Sequence, residues 1–420
     1  MHVVVAGAGL LGLCTAWYLR RAGARVTVVE RQRGPGLETS FANGGMLHAS
    51  QANPWNEPGV LGTALRMLGR EDAALLVRPR ALPGMWRWGL AFVRHSRPDR
   101  YLRNFEKNAH LARRSLEEMQ SLKAALGGDY DSASRGTMKL FRTAAEVQGA
   151  ARLCAQLSDW GIPYEVIDAA GARQLEPALA PIEAQLAGGL YFPGDESGDA
   201  HQFCRRLAEA LSAAGAEFLY ETPILNVRTR RPTGIALETS RGELGGDAVV
   251  LALGSYTPAL AKRLGLRVPV VPAKGYSITL PVADWSDPPV MPVIDDHLHA
   301  AVCPLGSRLR VAGTAEFAGH DLQLTPSRID NLFHLVLQLY PRFAPHLRRA
   351  EATLWTGLRP MSADGVGIMG RTSVPGVFLN TGHGPLGWTM AAGAGRLVAD
   401  EILGLPPTLE NTAYHLARFT

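Results

Sequence analysis

Val3, Val4 and Val5 run directly into Gly7, Gly9 and Gly12, and this junction limits what the chain can fold into more than any other stretch. A β-branched run without alternation reads as a strand buried on both faces, as in a parallel sheet. The G-x-G-x-x-G is followed by Ala16 and Gly23 at helical spacing, and then by a second apolar strand, RVTVVE, ending at Glu30. Together these make a βαβ unit. The first glycine permits a tight turn, the second lets backbone approach a pyrophosphate, and the third lets helix and strand pack closely. Phosphates then sit on the free N–H groups of the helix N-terminus. Glu30, about 20 residues on, is placed to accept hydrogen bonds from a ribose. An acid there disfavours a 2′-phosphate, which leaves NAD or FAD, and the motif does not choose between them.

The segment after Glu30 bears on that choice. The run RQRGPGLETSFANGG sets Arg31 beside the acid and places Ser40, Asn43, Gly44 and Gly45 in a polar, glycine-rich loop. A nicotinamide domain would continue into another helix and strand. A second pass along an extended cofactor, under its pyrophosphate and flavin, fits this loop better than an ordinary surface loop does.

Composition excludes several other classes. With 46% hydrophobic and 19% charged residues the chain is too apolar to be disordered. Its 45 glycines in 420 residues exceed the usual share of about 7% but follow no triplet period. Cys14, Cys154, Cys204 and Cys303 form no C-x-x-C pair, so neither a zinc site nor a disulfide framework is expected, and a reducing compartment is. The net charge of +5 is scattered and not interleaved with aromatic residues, which argues against nucleic acid as a partner. No signal peptide and no membrane span are expected.

Further along, ALPGMWRWGLAFVRH places Trp86, Leu90 and Val93 on one helix face with Arg87 and Arg94 outside it. That stripe reads as a core helix or as a surface touching a membrane or partner. A long amphipathic helix is expected over 101–126, stopped by Gly127 and Gly128, and a helix near 144–159 separates strands at 136–141 and 188–193. A helix, glycine turn and strand come next from about 200, and DAVVLALGSYT reads as a buried strand reaching Gly254. Antiparallel strands are expected in VVPAKGYSITLPV, HAAVCPL and RLRVAGT, then a helix over 327–347 and a glycine-rich tail. The fold class is therefore α/β, or α+β overall. A Rossmann-like nucleotide domain (1–60, 190–268, 352–420) is interleaved with a mixed or antiparallel-sheet substrate domain (61–189, 269–351), and the site lies at their interface.

VVVAGAGLLGLCTAWYLRRAG, ERQRGPGLETSFANGG, GTMKLFR, LEPAL, GDESGD, VPAKGYSITLP, WTGLRPMSADG and LNTGHGPLGWTMA occur in an order that covers nearly the whole chain. In these the sequence resembles the D-amino acid dehydrogenase small subunit family, within the FAD-dependent amine and amino-acid oxidoreductases that include glycine oxidase and sarcosine oxidase. The resemblance implies FAD, oxidation of a D-amino acid to its imine, hydrolysis to a 2-oxo acid and ammonia, and electron delivery to a quinone or other acceptor. It implies cofactor contacts from Gly7, Gly9, Gly12, Glu30, Arg31, Ser40, Asn43, Gly44 and Gly45, from Val227, Gly254 and Gly357, and from Gly384, Leu386, Gly387, Trp388 and Thr389. In GLRP, Arg359 matches the arginine that pairs with the substrate carboxylate, unless Asp364 nearby claims it. Tyr276 is expected to face the flavin or else to be a core tyrosine. His383 is expected at the flavin edge, accepting the amine proton with a near-neutral pKa, and His48 is expected to reach the pocket. In GHGPLGWTMAAGAGRLVADEIL the glycine-rich turn is read as opening a helix whose N-terminal donors, such as Gly387 and Trp388, face the flavin pyrimidine. No metal is called for.

An oxidase or dehydrogenase of a secondary amine such as proline, hydroxyproline or sarcosine is the competing chemistry, and a non-catalytic FAD-binding subunit the competing class. A cytoplasmic location, a peripheral contact with the inner membrane and homo-oligomerisation complete the expectations.

Overall fold

In the computed structural model, which describes residues 1–60, 62, 71, 73, 75–126, 129–230 and 234–419, the valine run forms the strand His2–Ala6 inside a six-stranded sheet. Arg25–Val29 and Ala248–Leu251 pair with it in parallel, one on each side. The sheet continues to Glu217–Leu219 beyond the first and to Val377–Thr381 and Ile368–Arg371 beyond the second. Val3 and Val5 pack with the helices Leu10–Arg21, Ala200–Ala213 and Ala391–Leu403. Val4 and Ala6 pack on the opposite face against the antiparallel strands Ile224–Thr229 and Ile235–Thr239. Both faces are covered, which is why this strand carries no polar alternation.

Two glycines set how closely the helices approach. A Cβ on Gly12 would lie 2.0 Å from the Gly7 carbonyl oxygen, and one on Gly395 would lie 2.7 Å from the carbonyl carbon of Cys14. The long helix Pro98–Leu126 joins this layer, burying Phe105, Ala112 and Met119, and its Ser115 Oγ accepts from the Gly393 N–H at 3.0 Å. The glycines expected to stop this helix, Gly127 and Gly128, lie outside the described residues.

The second sheet runs Thr353–Ser362, Val270–Pro281, Arg308–Phe317, Ala300–Leu305, Val293–Asp295, Thr137–Phe141, Gly188–Phe192 and Glu165–Ile167, with Leu75–Val77 beside Arg308–Phe317. Pro326–Leu339 packs on one face of it, over Ile278 and Val311. The expected antiparallel strands are present. The expected partition at 352 is corrected, because Thr353–Ser362 pairs antiparallel with Val270–Pro281 along its full length and so belongs to this sheet. The boundary at 189/190 cuts the strand Gly188–Phe192, and Pro98–Leu126 packs with the nucleotide layer. Each difference comes from a pairing or packing between segments distant in sequence, which no local pattern encodes.

The helix Leu82–His95 bears on the core reading of its stripe. Trp86 is 56% exposed and Leu90 66%, so that face is not core. Trp88, on the other side, is buried, donates from Nε1 to the Met361 carbonyl at 2.9 Å and packs on Phe92 and Phe317. Among the described residues no helix is long and apolar enough to cross a membrane.

The Gly12 contact yields a direct test. Gly12→Ala has no space for its methyl group and should cost about 3 kcal/mol, lowering the thermal midpoint by several degrees; an unchanged midpoint in calorimetry would contradict the packing.

Candidate active site

A cavity of about 1020 Å³ lies between the two sheets, lined at one end by Gly7, Gly9, Glu30 and Arg31 and at the other by His48, Arg359 and His383. At the first end Gly7 adopts φ +105°, and a Cβ there would lie 2.6 Å from the Ala252 carbonyl oxygen. A Cβ on Gly9 would be 3.2 Å from Ser40 Oγ, which accepts from the Leu10 N–H at 3.2 Å. The bare backbone keeps the start of Leu10–Arg21 open to a phosphate. Glu30 accepts from the N–H groups of Ala8 (2.8 Å) and Gln32 (2.9 Å), and burial raises its pKa despite them. Arg31 pairs with Glu38 and stacks 3.9 Å over the Tyr256 ring.

Val227 is a correction. Its side chain is buried with Ile235 and Leu237 behind the nucleotide sheet, and Pro223, Ile224 and Leu225 line the cavity instead. A bulge between Ile224 and Asn226 shifts the register of this strand.

The loop after Glu30 passes along the cavity through Ser40, Asn43 and Gly44, as expected. Side chains of the second sheet hold it by its carbonyls. Ser277 Oγ donates to Ala42 at 2.7 Å, Arg310 Nη1 to Asn43 at 2.9 Å and Cys303 Sγ to Gly45 at 3.4 Å. Arg310 is buried, and nothing in its local sequence marks it. Gly45 does not line the cavity; its φ of +77° and a Cβ position 2.9 Å from Cys303 Sγ show why it is glycine. Gly12 and Leu386 likewise lie behind the wall, and Thr389 acts at one remove, its Oγ1 accepting from the His48 N–H at 3.1 Å. Gly254, Gly357, Gly384, Gly387 and Trp388 do line it.

At the far end Arg359 projects from Thr353–Ser362 across Gly275, where a Cβ would lie 2.4 Å from its Cζ. Among the described residues its one hydrogen bond goes from Nη1 to the Thr314 carbonyl at 3.3 Å, and its guanidinium sits 5.8 Å from the Trp55 ring. Asp364 is not its partner: Arg418 Nε holds that carboxylate at 2.7 Å. Burial draws the Arg359 guanidinium down to about 10, which leaves it charged at neutral pH. A cation with no counterion among the described residues favours binding of an anion, and its fork matches a carboxylate.

Tyr276 is the second correction. Its backbone lines the cavity, but its hydroxyl donates to Glu316 at 2.5 Å and contacts Thr325 Oγ1 at 2.9 Å, within the core behind the sheet. Gly275, its neighbour, carries the cavity face, as alternation requires. His48 and His383 do reach the cavity, but burial pushes their pKa values down to about 4 and about 3. The near-neutral value expected for His383 is thus replaced by a ring that stays neutral, with neither nitrogen partnered among the described residues. The expected helix opening also shifts: Gly384–Leu386 is a short 3₁₀ turn and the α-helix begins at Ala391, so Gly387 and Trp388 stand ahead of it. An apolar wall from Leu75, Val77, Met85, Trp88, Phe92 and Phe317 completes this end. Sequence reasoning missed it because its residues come from segments joined only by the fold.

The residues fit an FAD laid along the cavity. Gly7 and Gly9 present bare backbone to a pyrophosphate at the start of Leu10–Arg21, and the buried, unpartnered Trp388 Nε1 and histidine nitrogens leave donors and acceptors at the other end.

The buried histidines set an acid limit. Their folded pKa values lie below the ordinary 6.5, so the unfolded chain binds more protons and stability is lost as pH falls from about 6.5 toward 4. Asp195, pushed up to about 6 by burial, acts in the opposite direction over part of that range. Replacing His383 with Gln should flatten the pH dependence of the urea unfolding free energy by roughly 1.4 kcal/mol per pH unit between pH 4 and 6. An unaltered slope would mean that His383 is not neutral and buried.

Residues 2–401 match the family model described as FAD dependent oxidoreductase. The chain is 41% identical over 419 residues to a D-amino acid dehydrogenase of Granulibacter bethesdensis, covering 100% of both. It is 43% identical over 421 residues to one of Cereibacter sphaeroides, covering 100% of this chain and 95% of that one. Among solved structures, glycine oxidase from Geobacillus kaustophilus superposes with TM-score 0.78 at 24% identity, covering 99% of this chain and 98% of that one. L-proline dehydrogenase from P. horikoshii gives TM-score 0.78 at 18% identity, with 100% and 97% covered; both share the fold. With a glycine-lined nucleotide end and, opposite it, an arginine that has no counterion among the described residues, the chain belongs to the FAD-dependent oxidoreductase family.

Proposed function

We propose that the protein oxidises D-amino acids to imino acids, which water then converts to 2-oxo acids and ammonia. The observation that carries this reading is Arg359, a guanidinium lining the cavity with no counterion among the described residues, at the end opposite the nucleotide-binding glycines. The dehydrogenase relatives named above support the choice of substrate.

Gly7, Gly9 and the start of Leu10–Arg21 hold the FAD pyrophosphate, Glu30 a ribose, and Asn43, Gly44, Gly387 and Trp388 the flavin end. When bound, FAD supplies the two-electron acceptor for the hydride leaving Cα. The chain's own part is orientation. Arg359 fixes the carboxylate, which leaves Cα and the amine as the groups free to turn toward the ring. His48 and His383, neutral at pH 7, offer a ring nitrogen as hydrogen-bond partner to a neutral amine. The apolar wall around Trp88 and Phe92 excludes water from the reacting carbon.

In our reading the electrons then pass to a quinone, and the protein works at the cytoplasmic face of the inner membrane. Leu82, Trp86 and Leu90 are 52%, 56% and 66% exposed on a helix whose inner residues Met85, Trp88 and Phe92 line the cavity. Arg87 lies 4.9 Å from the Trp86 ring, so cationic and apolar groups share this surface. A lipid-soluble acceptor would thus meet the cavity where the protein meets the bilayer.

Two experiments test this proposal. Arg359→Met should raise KM for a D-amino acid by about 100-fold or more and lower kcat, measured anaerobically by flavin bleaching; near-normal kinetics would remove the carboxylate assignment. Co-flotation with anionic vesicles should weaken with salt and be lost in a Trp86→Ser, Leu90→Ser double variant. Trp88 is unsuitable for that test because it is buried. Absent or unaffected flotation would end the membrane reading.

A further inference from the structure

The strand Arg308–Phe317 is irregular at one point, beside Arg359. Its pairing with Val270–Pro281 runs Lys274 to Glu316 and Gly275 to Ala315, then moves to Tyr276 opposite Gly313. Thr314 is the extra residue of a β-bulge. It stands at φ +57°, a region that glycine enters freely and a β-branched residue essentially avoids. Bulges that need this conformation ordinarily place glycine there. Backbone held in such a conformation persists where the surroundings over-determine it, and such positions cluster at ligand clamps.

Both polar groups of Thr314 bear on the same place. Its carbonyl accepts the one hydrogen bond that Arg359 makes among the described residues, at 3.3 Å. Its Oγ1 is buried without a partner among them, although the residue lines the cavity. Glycine at this position would relax the backbone and still supply the carbonyl, so holding Arg359 does not account for a threonine. An unpartnered buried hydroxyl is costly unless something else pairs with it. A carboxylate offers about four acceptor positions, of which the arginine fork occupies two.

We propose that Thr314 is a substrate-binding residue, its hydroxyl donating to the carboxylate that Arg359 holds. The bulge delivers hydroxyl and guanidinium to one anion, and so selects α-amino acids over amines that lack a carboxylate. This rests on the Arg359 reading above, and the test separates the two.

The FAD-loaded enzyme is compared with its Thr314→Val, Thr314→Ser and Thr314→Gly variants for FAD content, thermal midpoint, kcat and KM. Two dissociation constants are read from the flavin absorbance change: that of a 2-hydroxy acid with the substrate's side chain, and that of the matching decarboxylated amine. Thr314→Val should raise KM and the hydroxy-acid constant by about 10- to 100-fold, the range for a hydrogen bond to a charged group. Its kcat and amine constant should stay within about threefold, because the lost contact is uniform binding. Thr314→Ser should restore the parent values, and Thr314→Gly should lose carboxylate affinity without lowering the midpoint. If Val and Gly bind the hydroxy acid like the parent while Arg359→Met does not, Thr314 has no such role and the Arg359 reading stands. If Arg359→Met also binds it normally, the underlying reading fails. Should Thr314→Val not retain FAD, the contrast between Ser and Gly decides by the same criterion.

Discussion

A charged guanidinium without a counterion is expensive to maintain, and the second sheet is arranged around Arg359, which has none among the described residues. Gly275 lacks a side chain because Arg359 crosses over it, with less than 2.5 Å between any added Cβ and the guanidinium carbon. Asp364, the nearest carboxylate in sequence, is drawn away by Arg418 from the C-terminal segment. Trp55 contributes a ring face, which attracts a cation without neutralising it. These arrangements sacrifice stability locally and leave the charge available to a ligand.

The same sheet also fixes the other side of the cavity. Ser277 donates to the loop at Ala42, Arg310 at Asn43 and Cys303 at Gly45. Carbonyls engaged from behind leave this loop little freedom to flip its peptide planes. The Arg359 strand and the cofactor loop are therefore referenced to one rigid element, Val270–Pro281 and its neighbours. That shared frame matters for a hydride transfer, where small errors in distance weigh heavily.

How far the sequence reveals this depends on the range of the interaction. The βαβ unit is legible because Val3–Val5, the glycines and Glu30 are bound by local rules, and the loop through Asn43 and Gly44 continues directly from them. Arg359 and His383 stand out in short motifs. Tyr276 is misplaced toward the cavity because its face depends on which way the strand is turned at the bulge. Val227 lies behind the nucleotide sheet, in a strand whose register shifts between Ile224 and Asn226. Thr314, Arg310 and the wall around Trp88 carry no signal, since a threonine, an arginine or a tryptophan in a strand or helix is ordinary until its neighbours are known. The exposure of Trp86 and Leu90 is equally illegible: spacing places residues on a face but does not say what covers it.

The reverse of the sheet explains why the cation at Arg359 has no carboxylate partner among the described residues. Lys274 and Tyr276 flank Gly275 in sequence and, by alternation, point backward into a buried network around Glu316. Arg78 meets that carboxylate at 2.7 Å, Tyr276 at 2.5 Å and Lys274 at 3.6 Å. The pKa of Glu316 is lowered by these partners although burial alone would raise it, so it remains an anion committed to the back of the sheet. The strand thus separates two charge systems with opposite solutions. Behind it, cations and carboxylate satisfy one another; in front, the Arg359 guanidinium faces the cavity. A single residue of slip in Val270–Pro281 would exchange the two faces and place Lys274 or Tyr276 where Gly275 must be empty. The register of this strand is therefore a condition for the carboxylate site.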